Sequence, residues 1–220
     1  DGSRLWLRQS TDAHAQITAP RQSPTLNIAV RELKQAWKGL PVTLVLKKDK
    51  QLSSEGFRIR QVNGKLTVTS PSETGLLYAA YHLIRLQEMR NFGKPSETDQ
   101  EITENPAYDL RILNHWDNLD RSIERGYAGK SLWNWEELPG TLSDRYEAYA
   151  RANASIGINA TVLNNVNASS KILSAEYLEK VKAQYKARQE YERQSRKNSR
   201  SYYNNFWNNY KNGSYDSSIG

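Results

Sequence analysis

Two short stretches of this 220-residue chain concentrate side chains able to hold a polar, ring-shaped ligand. In the first, Asn114, His115, Trp116, Asp117 and Asn118 follow the apolar run Tyr108 to Leu113, and the loop from Asp117 to Gly140 adds Asp120, Arg121, Glu124, Arg125, Tyr127, Trp133 and Trp135. In the second, Asn164, Asn165 and Asn167 follow the apolar run Ala160 to Leu163. Saccharide sites need this mixture, because apolar ring faces stack on aromatics while hydroxyls and carboxylates need hydrogen-bonding partners. An Arg would suit an acidic sugar through a bidentate fork.

Each of these residues also has a plainer reading. Trp133 and Trp135 can be packing aromatics, Glu124 and Arg125 an ion-paired surface, and the Asn cluster the makers of a turn. For a single residue the plainer reading carries more weight; position at strand ends shifts the balance toward function for the two clusters together. A lone strand-end histidine such as His115 is more often an oriented hydrogen-bond partner than a proton carrier. His82 falls on a helical face and reads as structural.

The remaining inventory excludes several chemistries. There is no Cys, and the three histidines, His14, His82 and His115, are too scattered for a His-based metal site. No Gly-rich phosphate loop, Gly-x-Ser-x-Gly elbow or metalloprotease helix motif occurs. No metal and no cofactor is expected.

The elements that must position the clusters follow from periodicity. Tyr108 to Leu113 reads as a strand, Thr141 to Asp144 can cap a helix bearing Tyr146, Tyr149, Ala152 and Ile156, Gly157 fits its left-handed C-terminal position, and Ala160 to Leu163 reads as a second strand. A strand, helix and strand at this spacing predict a parallel βαβ unit. Both clusters then lie at carboxyl ends of neighbouring parallel strands, where barrels and open α/β sheets keep their sites.

Upstream, Leu26, Val30, Leu33 and Trp37 mark a helix behind Ser23 and Pro24, and Val42 to Leu46 a strand. Residues 57 to 69 form a hairpin about Asn63 and Gly64. Ser70, Pro71, Ser72 and Glu73 read as a capping box, with Pro71 as the first residue of a helix that runs to about Met89. The polar stretch Gly93 to Asn105 reads as a linker and sets a domain boundary.

The net charge of +7 is uneven: residues 184 to 220 hold seven Lys/Arg against three Asp/Glu, and are rich in Asn, Ser and Tyr. No apolar run reaches the roughly 18 residues of a membrane span, so a soluble chain without a membrane partner is expected.

The run LRILNHWDNLDRSIERGYAGKSLW, Leu110 to Trp133, closely resembles the glycoside hydrolase family 67 α-glucuronidases. SIGINATVLNNVNA, Ser155 to Ala168, resembles the next barrel strand of that family, and GLLYAAYHLIRLQ, Gly75 to Gln87, a helix of its N-terminal domain. The resemblance implies an α/β chain: an N-terminal α+β domain over 1–105, the first strands of a (β/α)8 TIM barrel over 106–183, incomplete here, and a divergent basic tail over 184–220.

It further implies inverting, metal-free hydrolysis that releases 4-O-methyl-glucuronic acid from xylo-oligosaccharides, with a carboxylic acid protonating the leaving oxygen and a carboxylate activating water. The family's catalytic carboxylates come from later strands, so no residue of this chain inherits a catalytic role. The resemblance carries over pocket architecture: Trp116, Asp117, Asn118, Glu124, Arg125, Trp133, Asn164, Asn165 and Asn167 occupy matching motif positions. Glucuronic-acid-substituted xylo-oligosaccharides are the expected partners. The resemblance makes a homodimer of the full-length protein a possible assembly, which is left open, as is the choice between periplasm and cytoplasm.

Two departures stand out. Arg121 occupies a position where the motif leads one to expect glycine, and the similarity lapses after Ala183. A barrel takes about 250 residues, and only the 115 from Pro106 to Gly220 are at hand. The expectation is therefore an α-glucuronidase by descent that is inactive as this chain. The competing reading is a noncatalytic carbohydrate-binding or assembly module. Nucleic-acid binding by the basic tail ranks lowest, since no folded platform for it is evident.

Overall fold

The computed structural model describes residues 7, 10–12, 15–90, 92–94, 99–141, 143–165 and 167–183. The expectations for His14 and for the tail over 184–220 lie outside these residues. Two compact units emerge, one made of the chain up to Trp133 with Ser143–Ser169, the other of Asn134–Leu142 with Ser170 onward.

The first unit is mixed α/β. Helix α1 (Pro24–Ala36) starts where the Ser23 Oγ accepts the Leu26 N–H at 3.2 Å, with Pro24 in the first turn, where its missing N–H leaves no bond unmade. It buries Leu26, Ala29, Leu33 and Ala36 on one face. Strands β1 (Ile17–Thr18), β2 (Val42–Leu46), β3 (Phe57–Val62), β4 (Lys65–Ser70) and β5 (Gln100–Glu104) form one sheet in the order β1-β2-β4-β3-β5. β1, β2 and β4 run parallel, while β3 is antiparallel to both β4 and β5. Asn63 and Gly64, at φ +49° and +70°, make the tight turn between β3 and β4.

Period-two alternation turns Val42, Leu44, Phe57, Ile59, Leu66 and Val68 into the core shared with α1 and α2 (Glu73–Arg90). Full burial of each such aliphatic side chain contributes about 1.5–3 kcal/mol.

Two local expectations are corrected. The stretch read as a linker contains β5, an edge strand in which only Ile102 is partly covered, so it lacks the apolar alternation that announces a strand. The cap of α2 is Ser72, whose Oγ accepts the Gly75 N–H at 3.1 Å. Ser70 is buried one step earlier, donating to Gly56 O and accepting from Ser72 N, and Pro71 precedes the helix. Glu73 is thereby free to bond Arg21 and Ser23 rather than close a capping box.

Strand β6 (Ile112–Asn114), helix α3 (Asp144–Ser155) and strand β7 (Ala160–Val162) complete the unit, with β6 and β7 parallel in the register Leu113 to Thr161. β6 begins later than its apolar run because side chains take up the backbone before it. Asn159 Oδ1 accepts the Arg111 N–H at 2.9 Å, Asn159 Nδ2 donates to Asp109 O, and the Arg111 guanidinium donates to Tyr108 O. Gly157, at φ +77°, ends α3 with its N–H on Ala154 O while Ile158 N–H returns to Asn153 O, a complete Schellman closure.

Two ion pairs fasten this βαβ segment to the earlier layers. Arg151 of α3 grips Glu32 of α1, and Arg111 pairs with Glu55 while lying 5.7 Å over the Tyr78 ring.

In the second unit, a 3-10 turn at Ser170–Leu173 leads to a helix over 175–183 that Ser174 caps, and the Trp135 and Tyr177 rings lie 5.6 Å apart. Among the described residues no helix is long and apolar enough to cross a membrane.

Candidate functional site

The ladder between β6 and β7 continues one step beyond Asn114, where His115 N–H donates to Val162 O at 3.0 Å. Past that point the two chains leave the sheet together and are bonded loop to loop. Asp117 O accepts both the backbone and the side-chain N–H of Asn165, at 3.1 and 3.3 Å, and Asn165 Nδ2 also donates to Asn118 Oδ1 at 2.5 Å. Asn165 Oδ1 accepts the Asn167 N–H at 2.6 Å, its carbonyl accepts from Asn164 Nδ2 at 3.0 Å, and Asn167 Nδ2 donates to Glu124 Oε1 at 2.6 Å. The Glu124 N–H returns to Trp116 O at 2.8 Å.

The other members hang from this frame. Ser131 Oγ donates to Asp117 Oδ2 at 2.6 Å and accepts the Trp133 N–H at 3.0 Å. Arg125 lies 5.7 Å over the Trp116 ring. All nine residues singled out by sequence are thus joined in one ledge at the carboxyl ends of β6 and β7.

They do not occupy equivalent places in it. Asp117 and Asn165 are 5% and 4% exposed, with Asp117 Oδ2 and the Asn165 amide bonded within the frame. Trp133, 4% exposed, lies in a cage of His115, Tyr146 and Tyr149, with ring centroids 5.4–5.6 Å away. Trp116 is 42% exposed, stands 6.2 Å from the exposed Tyr127 ring, and shares the outer surface with Arg125 and Asn167. The buried three support; the outer group can meet a ligand.

His115 sits between the layers, its Nε2 2.7 Å from the Tyr149 hydroxyl and its Nδ1 3.6 Å from Asp117 Oδ2. Asp120 is held below the usual carboxylate range by bonds from the Ser122 hydroxyl and N–H, which close the turn after Asn118. Sequence reasoning missed Ser131, a small polar residue in a polar loop with nothing to mark it. Tyr146 and Tyr149 were legible as neighbours on one helix face, though not as the walls of the Trp133 cage. Among the described residues no group of three His, Asp or Glu side chains could hold a metal.

Residues 92–196, which include the whole ledge, match the family described as glycosyl hydrolase family 67 middle domain. Over this stretch the chain is similar to glycoside hydrolase family 67. The family 67 match continues past Ala183, where the similarity had been expected to lapse.

Among relatives, the "Probable alpha-glucuronidase A" of Aspergillus clavatus is 37% identical over 130 residues, 59% of this chain and 15% of that protein. The alpha-glucuronidase A of Aspergillus tubingensis is 36% identical over 126 residues, 57% of this chain and 14% of that protein. The chain therefore spans only about 15% of the length of these relatives. A family 138 glycoside hydrolase targeting pectin rhamnogalacturonan II superposes with a TM-score of 0.48 at 16% identity, over 69% of this chain and 19% of that one.

Proposed function

We propose that the βαβ segment is the opening of the catalytic (β/α)8 barrel of an α-glucuronidase, and that its ledge forms part of the pocket for glucuronic-acid-substituted xylo-oligosaccharides. On this reading residues 1–105 act as the accessory N-terminal domain. The observation that carries the proposal is the cross-loop frame, in which Asn165 and Asn167 lock the loop after β7 to the loop after β6. Two loops bonded into one surface at the carboxyl ends of parallel strands have the placement at which barrel enzymes bind substrate.

The roles divide by exposure. Trp116 offers an apolar face for a sugar ring, with Tyr127 beside it. Asn118, Asn164 and Asn167 supply amide groups for hydroxyls. Asp117, Asn165 and Trp133 set the height and tilt of these groups from below.

The reaction is an inverting hydrolysis. That mechanism needs two carboxyl groups about 6.5–9.5 Å apart, one protonating the leaving oxygen and the other activating water. The ledge carboxylates are already engaged, Asp117 with Ser131 and Glu124 with Asn167. With both carboxylates held in the frame, the ledge binds, and the acid and base of the hydrolysis are expected from other parts of the barrel.

Calorimetric titration of the chain with aldouronic oligosaccharides tests this, with release of glucuronic acid followed in parallel. Binding without release is the expected result. Absence of heat at millimolar ligand would remove the pocket role, and release of glucuronic acid would place catalytic carboxylates within these 220 residues.

A further inference from the structure

Strands β6 and β7 are paired only from Ile112 with Ala160 to Asn114 with Val162, and Ile112, Leu113 and Val162 are all exposed. Burial specifies the register of strands whose faces are covered; a short pair with exposed side chains is free to slip. A slip of one residue moves one strand past the other by about 3.3 Å. That would carry the Asn165 N–H, now 3.1 Å from Asp117 O, out of hydrogen-bond reach and undo the frame of the ledge. Something other than burial must hold the register.

The amino ends of the two strands carry that hold. The Arg111 carbonyl, entering β6, accepts the N–H groups of Asn159 and Ala160 at 3.1 and 3.2 Å, and the Arg111 N–H donates to Asn159 Oδ1 at 2.9 Å. Arg111 with Asn159 and Asp117 with Asn165 share one offset of 48 residues, so the ledge bond belongs to the register set at the entry. Both entry side chains converge on one atom of the loop between β2 and β3: Glu55 Oε2 accepts from Arg111 Nη2 and, at 3.3 Å, from Asn159 Nδ2. Arg111 Nε donates to Gly157 O at 2.5 Å, which ties the end of α3 to the same point.

Glu55 itself stands on fixed ground. Its neighbour Gly56 donates its N–H to Ser53 O at 3.0 Å and accepts from the buried Ser70 hydroxyl at 2.7 Å. The Ser53 N–H in turn donates to Asn105 Oδ1 at 2.8 Å. Glu55 and Arg111 are both partly buried, which lessens the screening of their charges.

We propose that Glu55 is a positioning residue for the ledge. Its carboxylate holds Arg111 and Asn159 together at the amino ends of β6 and β7, and the register set there brings Asp117 and Asn165 together at the carboxyl ends. The inference rests on the reading of the ledge as a saccharide pocket, and it gives residues 1–105 a part in forming that pocket.

The test compares the full 220-residue chain with Glu55→Ala, Glu55→Gln and a control, Val42→Ala, which thins the core of the N-terminal sheet away from this contact. Native-state hydrogen exchange is followed at His115 and Asn165, whose N–H groups bond between the two strands and their loops, and at Val68 in β4. Calorimetry with an aldouronic oligosaccharide follows binding. In Glu55→Ala, protection at His115 and Asn165 is expected to fall about ten-fold or more beyond any fall at Val68, the scale of a lost bond to a charged group. Oligosaccharide affinity should fall with it, although the bonds of Glu55 lie at the opposite ends of the strands. Glu55→Gln keeps an oxygen that can accept from both donors and should lose less. In Val42→Ala the fall at Val68 should be at least as large as that at Asn165.

Equal falls at Asn165 and Val68 in Glu55→Ala reduce the contact to general stability and overturn the assignment, as does unchanged protection at Asn165. Affinity that survives the lost protection also overturns it, since the ledge then binds without this register. No binding by wild type removes the pocket reading alone, and the exchange pattern then decides whether Glu55 sets the meeting of the two loops.

Discussion

Arg151 and Glu32, 119 residues apart, close an ion pair in which Nε lies 2.9 and 3.0 Å from the two carboxylate oxygens and Nη2 2.7 Å from one of them. Glu32 is 1% exposed, and Arg151 Nη2 also donates to Leu7 O at 2.8 Å. The bond to Glu32 raises the Arg151 guanidinium further above its ordinary value, and burial together with the nearby Glu32 charge pushes the Tyr81 hydroxyl far up. Helices α1, α2 and α3 thus meet around one buried carboxylate.

Removing Arg151 alone leaves that carboxylate with only the longer contact to Arg31, at 3.7 Å, and the Tyr81 hydroxyl. Arg151→Met is expected to cost about 3–5 kcal/mol in urea unfolding, and the double variant Glu32→Gln with Arg151→Met to recover much of it. A single variant within about 1 kcal/mol of wild type would mean that water reaches Glu32 and that the pair does not join the layers.

The two tryptophans of the ledge should respond oppositely. Trp133→Ala empties the cage made by His115, Tyr146 and Tyr149 and should cost about 3–5 kcal/mol of stability. Trp116→Ala removes a ring already 42% exposed and should cost about 1 kcal/mol or less, while weakening any saccharide binding. Denaturant melts of both variants, with titration of the Trp116 variant, check the division. Equal losses of stability would contradict it.

Much of this was legible in the sequence where a regular period governs burial. Leu26, Leu33 and Trp37 marked α1, and Asn63–Gly64 marked the β3–β4 hairpin, because one-sided burial and positive φ leave residue-type signatures. β5 escaped because an exposed edge strand needs only backbone partners, and β1 because two residues carry no period. The strand-end position of the ledge followed from the βαβ pattern. Its internal division did not. Asp117 and Asn165 have the side chains of ligand-facing residues yet are buried, since the Asp117 carboxylate turns to Ser131 of its own loop and the Asn165 amide bonds across to the loop after β6, contacts that are tertiary facts.

Acid should weaken the contact between the starts of α1 and α2. Burial alone would raise the Glu73 carboxyl, but bonds from the Ser23 hydroxyl and the Arg21 guanidinium outweigh it and hold the group below 4.5. A depressed carboxyl stabilises the fold above its unfolded pKa and loses that contribution as pH falls through its folded value. Stability measured by urea unfolding should therefore fall below about pH 4.5, and less steeply for Glu73→Gln than for wild type. The effect is modest because Arg21 is largely exposed. Identical slopes would show that the bonds persist in the unfolded chain or are too weak to matter.

Asn165 is the most sensitive point of the ledge, because its side chain donates to two groups of the β6 loop and accepts from its own. Asn165→Ala leaves the Asn118 amide oxygen and the Asn167 N–H without these partners, at a cost of about 1–3 kcal/mol. Asn165→Asp keeps the acceptor for Asn167 but removes both donations, and sets a carboxylate against the Asp117 carbonyl and the Asn118 amide oxygen. It should be at least as destabilising as alanine at neutral pH and improve on acidification, when the protonated carboxyl can donate to Asn118 again. Hydrogen exchange at Asn167, whose N–H lies 2.6 Å from Asn165 Oδ1, separates the two variants: protection should vanish in Asn165→Ala and persist in part in Asn165→Asp. Protection unchanged in both would mean that the loops after β6 and β7 hold together without Asn165, and that the frame has another support.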